Sequence, residues 1–88
     1  MQTEKECYLC KTTRNLQKHH ALHGSYRKNA DKYGLWVWLC ADHHTMGRDA
    51  IHRNPELDKE LMKEAQRKFE ETHTREEFIA LFGKNRLS

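Results

Sequence analysis

The sequence predicts a small α+β domain whose fold depends on a bound metal ion. Two short motifs, C-x-x-C at residues 7–10 and C-x-x-H at residues 40–43, have the spacing of zinc-binding half-sites. A run rich in aromatic and β-branched residues, 35–39, predicts a strand that leads directly into the second motif. After residue 55 the apolar residues recur with a helical period, which predicts helices for the rest of the chain.

The composition is that of a small domain with little apolar material. The chain has 88 residues, a mean hydropathy of -1.07 and a net charge of +3. A core of this size gives marginal stability, so a further staple is expected. Three cysteines, an odd number, favour a metal site in a reducing compartment over a closed disulfide framework. The polar N-terminus and the lack of an apolar run of about 18 residues predict a cytoplasmic protein with no membrane association.

The basic residues are concentrated in the first part of the chain. Residues 1–54 carry nine Lys or Arg against five Asp or Glu, and residues 55–88 carry seven against eight. The basic part also holds six of the seven histidines and all three cysteines. This asymmetry favours a nucleic-acid partner, although a solvated basic surface is the simpler explanation of charge alone.

The first part of the chain predicts two extended segments joined by a loop. Residues 15–22 form the first segment, and residues 24–34 form a polar, basic loop. The strand over 35–39 follows, with Trp36 and Trp38 on one of its faces because successive side chains alternate.

The second part of the chain predicts three helices. A short one begins after Cys40 and ends at Gly47. Asn54-Pro55 is typical of a cap and first turn, and that helix should run to about residue 72. Residues 74–77 form a capping box for a last helix that ends at Gly83. The apolar faces of these two helices are expected to pack on the hairpin, with dimer formation as the alternative.

The two cysteine-containing motifs together supply the four donors of a structural zinc site. Its predicted ligands are Cys7, Cys10, Cys40 and His43. The alternative is a set of buried free cysteines. Structural zinc contributes on the order of 10–16 kcal/mol of apparent binding free energy, so the metal-free chain is expected to be largely unfolded.

Six further histidines remain once zinc is satisfied, and four of them predict a second metal site with an open position. They are His19, His20, His44 and His52. His44 cannot easily share the ion of His43, because neighbours on a helix point about 100° apart. The alternative for each is an exposed surface histidine, and His23 is expected to be loop surface or a phosphate contact.

Metal-assisted phosphodiester hydrolysis is the chemistry that fits such a site. A divalent ion neutralises phosphate charge, and a histidine outside its coordination sphere can accept a proton from water. The ion could be Mg²⁺, Mn²⁺, Ni²⁺ or Zn²⁺, because histidine-rich sites accept several. Four residues are candidates for contacting DNA: Tyr26, Arg27, Lys28 and Arg48.

Over residues 7–52 the order C-x-x-C, HH, glycine-containing loop, strand and LC-x-x-HH resembles the HNH endonucleases of the zinc-stabilised ββα-metal type. The small bacteriophage versions are the most similar. The resemblance implies a treble-clef-like ββα core over residues 1–54 that binds one metal ion and cuts DNA. Residues 55–88 would then be a helical extension packed on that core, within a single domain.

The resemblance also implies individual roles. His19 matches the first metal ligand, His20 the general base and His44 the ligand on the helix. His52 is a separate prediction: if the chain folds back after Gly47, it becomes a third ligand, and otherwise it is a surface histidine near a DNA phosphate.

One feature departs from the family pattern, and a second is difficult to fit to it on a regular strand. The asparagine that orients the general base is missing before residue 39, leaving Asn29 or a backbone carbonyl as substitutes. His19 and His20 can share a site only if their strand ends, twists or bulges there, because neighbouring strand residues face opposite sides.

Two non-catalytic functions stay open beside the endonuclease. One is a zinc-bound nucleic-acid-binding module, and the other is an interaction protein on the same fold. The resemblance suggests a phage-encoded protein in the host cytoplasm, with packaging or recombination proteins as partners. The sequence leaves open whether the protein is a monomer or a homodimer.

Overall fold

The computed structural model describes residues 1–47 and 50–87, and it is a small mixed α/β structure. A two-stranded antiparallel sheet and three helices form its frame. The elements are β1 (Leu16–His20), α1 (Arg27–Lys32), β2 (Trp36–Cys40), α2 (Pro55–Phe69) and α3 (Arg75–Phe82). No helix in these two ranges is long and apolar enough to cross a membrane.

The two strands pair in a regular register that separates the two faces of the sheet. His19 pairs with Val37 on the buried face, whereas His20 pairs with Trp36 on the other. Trp38 lies beside Trp36, with ring centroids 5.2 Å apart. The predicted extended segments and the shared face of the two tryptophans are therefore confirmed.

The segment between the strands is helical and not the loop that its polarity predicts. A single 3₁₀ turn, Gly24–Tyr26, leads into α1. Ala30 is fully buried, which gives this basic helix an anchor in the core. Gly34 ends the segment with φ of 72°, a left-handed conformation that glycine adopts without strain.

The helix predicted after Cys40 is only one turn, Asp42–Met46, and its hydrogen bonding is of the π type. The amide of Gly47 donates to the carbonyl oxygen of Asp42 at 2.8 Å, five residues back. Gly47 has an extended backbone conformation and ends the turn, which confirms the predicted stop. A Cβ atom at this position would lie 2.4 Å from the Asp42 oxygen, so glycine is required there. A 3₁₀ turn over Ile51–Arg53 then places His52 against His19 of the hairpin, with ring centroids 5.2 Å apart.

The caps of the two C-terminal helices match the sequence prediction. The Asn54 side chain accepts a hydrogen bond from the amide of Leu57 at 3.2 Å, with Pro55 in the first turn. Thr74 and Glu77 form the predicted capping box of α3. α2 ends at Phe69 and not near residue 72, because the amides of Glu71 and Thr72 bond only three residues back, to the carbonyls of Lys68 and Phe69, in a tighter closing turn.

One hydrophobic cluster joins the hairpin to the helices. Phe69, Phe78 and Phe82 pack against one another with ring centroids 4.8–6.0 Å apart. The buried members from both parts of the chain include Leu22, Ala30, Leu35, Val37, Leu39, Leu61, Ala65, Phe69, Phe78 and Phe82. Among the described residues, Ile79 is the one large apolar side chain that is exposed. Packing within one chain thus uses the apolar faces of α2 and α3.

Candidate metal centres

The first candidate centre lies where the N-terminal knuckle meets the end of β2. The knuckle is closed by hydrogen bonds from the amide of Cys7 to Thr12 and from the amide of Lys11 back to Cys7. It docks on the sheet through the amide of Tyr8, which donates to the Trp38 carbonyl at 2.8 Å. This docking brings the first half-site to Cys40, the last residue of β2.

The four predicted zinc ligands come together with spacings that suit a tetrahedral ion. Cys7 Sγ lies 3.7 Å from His43 Nδ1, Cys10 Sγ lies 3.7 Å from Cys40 Sγ, and Cys40 Sγ lies 3.2 Å from His43 Nδ1. Donors bonded to zinc at about 2.3 Å in a tetrahedron lie about 3.7 Å apart. All four donor atoms fall within 4.8 Å of one another. The cluster could therefore hold a zinc ion.

The environment of Cys7 already favours its thiolate. Burial opposes ionisation, but hydrogen bonds from backbone amides, first that of Cys10, outweigh it and lower the pKa of Cys7 to about 6. The pKa of Cys40 is raised, because burial and the neighbouring cysteines disfavour a second negative charge. A divalent cation would relieve that repulsion, since thiolates are the form that binds zinc.

The second candidate centre is a cluster of histidines arranged around His19. The ring of His19 has its centroid 5.2 Å from that of His44, 5.2 Å from that of His52 and 5.3 Å from that of His23. Donor atoms of His19, His44 and His52 lie within 4.8 Å of one another. The three predicted ligands of the second metal are thus brought together, and the 3₁₀ turn Ile51–Arg53 places His52 among them, as expected.

The buried face of the hairpin holds His19 in an unusual state. The residue is 3% exposed, and its Nε2 has no hydrogen-bond partner in the described part of the chain. Burial, with the neighbouring histidines His23, His44 and His52 as the next causes, lowers the pKa of His19 to about 3. The imidazole is therefore neutral at physiological pH. A neutral, unpartnered ring nitrogen among other histidines fits a metal ligand.

His44 is oriented by a residue that the sequence reasoning missed. Its Nδ1 lies 2.6 Å from the Gln17 carbonyl oxygen Oε1 and donates to it, which leaves Nε2 free for an ion. Burial and the proximity of His52 lower the pKa of His44, which also favours the neutral ring. Gln17 precedes His19 by two positions on the same strand face, and that spacing was the available signal.

His20 lies on the other face of β1, yet it lines the same cleft as His19. The strand pairs regularly up to His20 and shows no bulge before it. Of the predicted explanations, the end of the strand at His20 is therefore the one that lets both histidines line the cleft. His20 Nε2 lies 3.4 Å from Asp31 Oδ1, and the same carboxylate pairs with Lys18. Asp31, and not the candidate Asn29, is thus the side chain that contacts His20.

Asn29 has a different task. Its side-chain amide donates to the Leu81 carbonyl oxygen at 3.2 Å. This contact links α1 to α3, so the described role of the Asn29 side chain is to hold the two helices together.

Two residues of the cluster were not predicted as ligands. His23 was expected to be loop surface or a phosphate contact, and Asp58 was not singled out. His23 Nε2 lies 2.8 Å from Asp58 Oδ1, and His19 Nε2 lies 4.0 Å from the same oxygen. Asp58 lies in the first turn of α2, and 35 residues separate it from His23. Only the folded chain brings the pair together.

The predicted DNA-contacting residues are placed differently from one another. Arg27 is exposed and lines the cleft, and Lys28 is exposed. Tyr26 is half-buried, with its ring 6.3 Å from that of Phe82, so it packs against α3. Arg48 lies outside the described residues.

The histidine cluster opens into a cleft of about 710 Å³, whereas the cysteine cluster lies apart from it. The lining is dominated by basic and imidazole side chains: Lys18, His19, His20, His23, Gly24, Arg27, His44, Ile51, His52, Pro55 and Asp58. Asp58 is the one carboxylate among these lining residues. A scan of protein-family models, a search of curated proteins and a search of solved structures found no match to this chain.

Proposed function

We propose that the protein is a metal-dependent DNA endonuclease of the HNH type, built on a ββα-metal, treble-clef-like core. One observation carries the proposal. His19, which has a buried, unpartnered ring nitrogen, lies within ligand spacing of His44 and His52 at an open, basic cleft, apart from the cysteine cluster. This arrangement supports a second ion with a role other than holding the fold.

A simple binding module gives no reason for this cluster. Leaving a polar atom buried without a partner costs about 1–3 kcal/mol. His19 Nε2 is in that state. A binding module would not need this buried nitrogen, because the basic side chains of the cleft would attract phosphate on their own. A metal ion at His19, His44 and His52 removes the cost and explains why three imidazoles converge.

An ion bound there would neutralise charge on the scissile phosphate and stabilise the departing oxygen. His20 is the proposed general base. With Nε2–H donated to Asp31, its Nδ1 carries the lone pair that accepts the proton of the attacking water. The water oxygen bonds to phosphorus as the bond from phosphorus to the leaving oxygen breaks, and that oxygen leaves with the electron pair.

The basic side chains at the cleft position the DNA backbone in this proposal. Arg27 and Lys18 line the cleft, and both offer cationic groups for phosphate oxygens. Such contacts do not read sequence, so a targeting partner, such as a packaging or recombination protein, fits the small size of the chain. The three zinc-binding thiolates suit the reducing cytoplasm.

The test is nicking of a supercoiled plasmid by zinc-loaded protein, with Mg²⁺, Mn²⁺, Ni²⁺ or Zn²⁺ added in turn. The wild-type protein is expected to cut, and His20→Ala is expected to cut about 10²–10⁴-fold more slowly, the usual contribution of a general base. His73→Ala is the matched control, because His73 stacks on Phe69 away from the cleft.

Two results would contradict the proposal. If the wild-type protein binds DNA but does not cut it with any ion, the non-catalytic nucleic-acid-binding module is the better description. If His20→Ala and His73→Ala cut equally well, His20 is not the base.

A further inference from the structure

We propose that His19, His23 and Asp58 form a second metal position beside the one formed by His19, His44 and His52. The inference rests on the proposed function only in taking the three-histidine group as a metal position. It adds a carboxylate-containing position that shares the His19 side chain, so that the identity of the ion decides where it binds.

The spacing of the donor atoms fits this position. His23 Nε2 and Asp58 Oδ1 lie 2.8 Å apart, and His19 Nε2 lies 4.0 Å from that oxygen. Neighbouring ligands around an octahedral ion with bonds of about 2.1 Å lie about 3.0 Å apart, and opposite ligands about 4.2 Å apart. Donor atoms of the three residues also lie within 4.8 Å of one another.

An independent observation points to a ligand here. His19 is only 3% exposed, and its Nε2 has no hydrogen-bond partner among the described residues, although Asp58 is near. The distance of 4.0 Å is too long for a hydrogen bond. An ion between the two side chains would satisfy both the nitrogen and the carboxylate.

The two positions are alternatives for one ion. A neutral imidazole has one unprotonated ring nitrogen with one lone pair, so His19 cannot bind two ions at once. Imidazole ligands suit Ni²⁺ and Zn²⁺, whereas carboxylates suit Mn²⁺ and Mg²⁺. We therefore assign Ni²⁺ to His19, His44 and His52, and Mn²⁺ to His19, His23 and Asp58.

Metal titrations of the zinc-loaded protein test this assignment. Ni²⁺ affinity is measured by isothermal titration calorimetry, and Mn²⁺ affinity by the loss of the free-ion electron paramagnetic resonance signal. The variants are Asp58→Asn, which keeps the size of the side chain, and His52→Ala. Glu56→Gln is the matched control, because Glu56 is the other acidic residue in the first turn of α2.

Asp58→Asn is expected to weaken Mn²⁺ binding by about 10-fold or more, with Ni²⁺ affinity nearly unchanged, and His52→Ala to do the reverse. Glu56→Gln should change neither affinity. Unchanged Mn²⁺ affinity in Asp58→Asn would overturn the inference and leave the His23–Asp58 contact as a hydrogen bond only. Equal weakening of both ions by Asp58→Asn would overturn it too, because one common coordination sphere would then hold either ion.

The result is separate from that of the nicking assay. A protein that shows the two metal preferences but cuts no DNA would contradict the proposed function alone. A protein that cuts DNA while Asp58→Asn leaves Mn²⁺ binding intact would contradict only the second position.

Discussion

The cysteine cluster and the histidine cluster differ in how completely their donors are used. The cysteine cluster has four donors, the number that a tetrahedral zinc requires, and they come from three chain segments that it ties together. The histidine cluster has five candidate donors, the buried imidazole of His19 and four side chains around it, and it faces a cleft. A closed set of four suits a structural role, whereas surplus donors beside a cleft suit exchange of ions and substrate.

The turn Asp42–Met46 separates the two roles between neighbouring residues. His43 lies 3.2 Å from Cys40 Sγ, while His44 is bound to Gln17 and faces His19 and His52. Neighbouring side chains on a helical turn diverge, so one short segment serves both centres. The doubled histidine is thus a junction between them.

The largest expected effect comes from removing zinc. Zinc binding contributes on the order of 10–16 kcal/mol. A domain of this size has a total stability of about 4–13 kcal/mol. Strong chelation or Cys40→Ser should therefore abolish the cooperative thermal transition seen by circular dichroism. A chelated protein that is free of zinc and still melts cooperatively would show that the cysteine cluster does not hold the fold.

The neighbouring histidines give the sharpest test of the difference between the clusters. His43→Ala should lose zinc and unfold, whereas His44→Ala should keep one zinc per chain and its melting temperature. His44→Ala should nevertheless bind Ni²⁺ about 100-fold more weakly and cleave plasmid about 100-fold more slowly, because it lacks a proposed ligand of the second ion. Zinc content, melting temperature and Ni²⁺ affinity are measured on both variants. If both variants lose the fold equally, the two clusters do not have separate structural and metal-exchange roles.

The parts of the molecule that sequence predicted depend on local signals. The half-sites, the strand over Trp36–Cys40 and the caps at Asn54 and Thr74 each follow from residues within a few positions of one another. Helix α1 was missed because its polar sequence carries little periodicity, and its anchor is the burial of one small side chain.

The missed site residues depend on distant contacts. His23 meets Asp58 across 35 positions, and Gln17 meets His44 across 27. Asp31 reaches His20 only because α1 folds back beside the hairpin. No spacing rule links such pairs, so the pairings become visible only when the chain is folded, although the strand spacing of Gln17 and His19 could have placed Gln17 on the face of the site.

A smaller effect should follow from disturbing Gln17, which positions His44 without touching the ion. Gln17→Leu removes the acceptor for His44 Nδ1, and Ni²⁺ affinity should fall about 10-fold at unchanged zinc content and melting temperature. Gln17→Glu keeps an acceptor oxygen and should restore most of that affinity. If Leu and Glu behave alike, the contact does not orient the ring.

The smallest expected effect is at Asp31, which supports the proposed base from an exposed position. Lys18 and then His20 are hydrogen-bonded to its carboxylate and lower its pKa, so the group is ionised at neutral pH. Exposed pairs of this kind contribute little, so Asp31→Asn should slow cleavage by about 5-fold at most, far less than His20→Ala. Glu60→Gln is the matched control, because Glu60 is also an exposed carboxylate paired with a lysine, Lys63, but does not line the cleft. Single-turnover plasmid cleavage measures all three variants. A loss in Asp31→Asn as large as that in His20→Ala would show that the proposed base depends on the Asp31 carboxylate far more than an exposed contact allows.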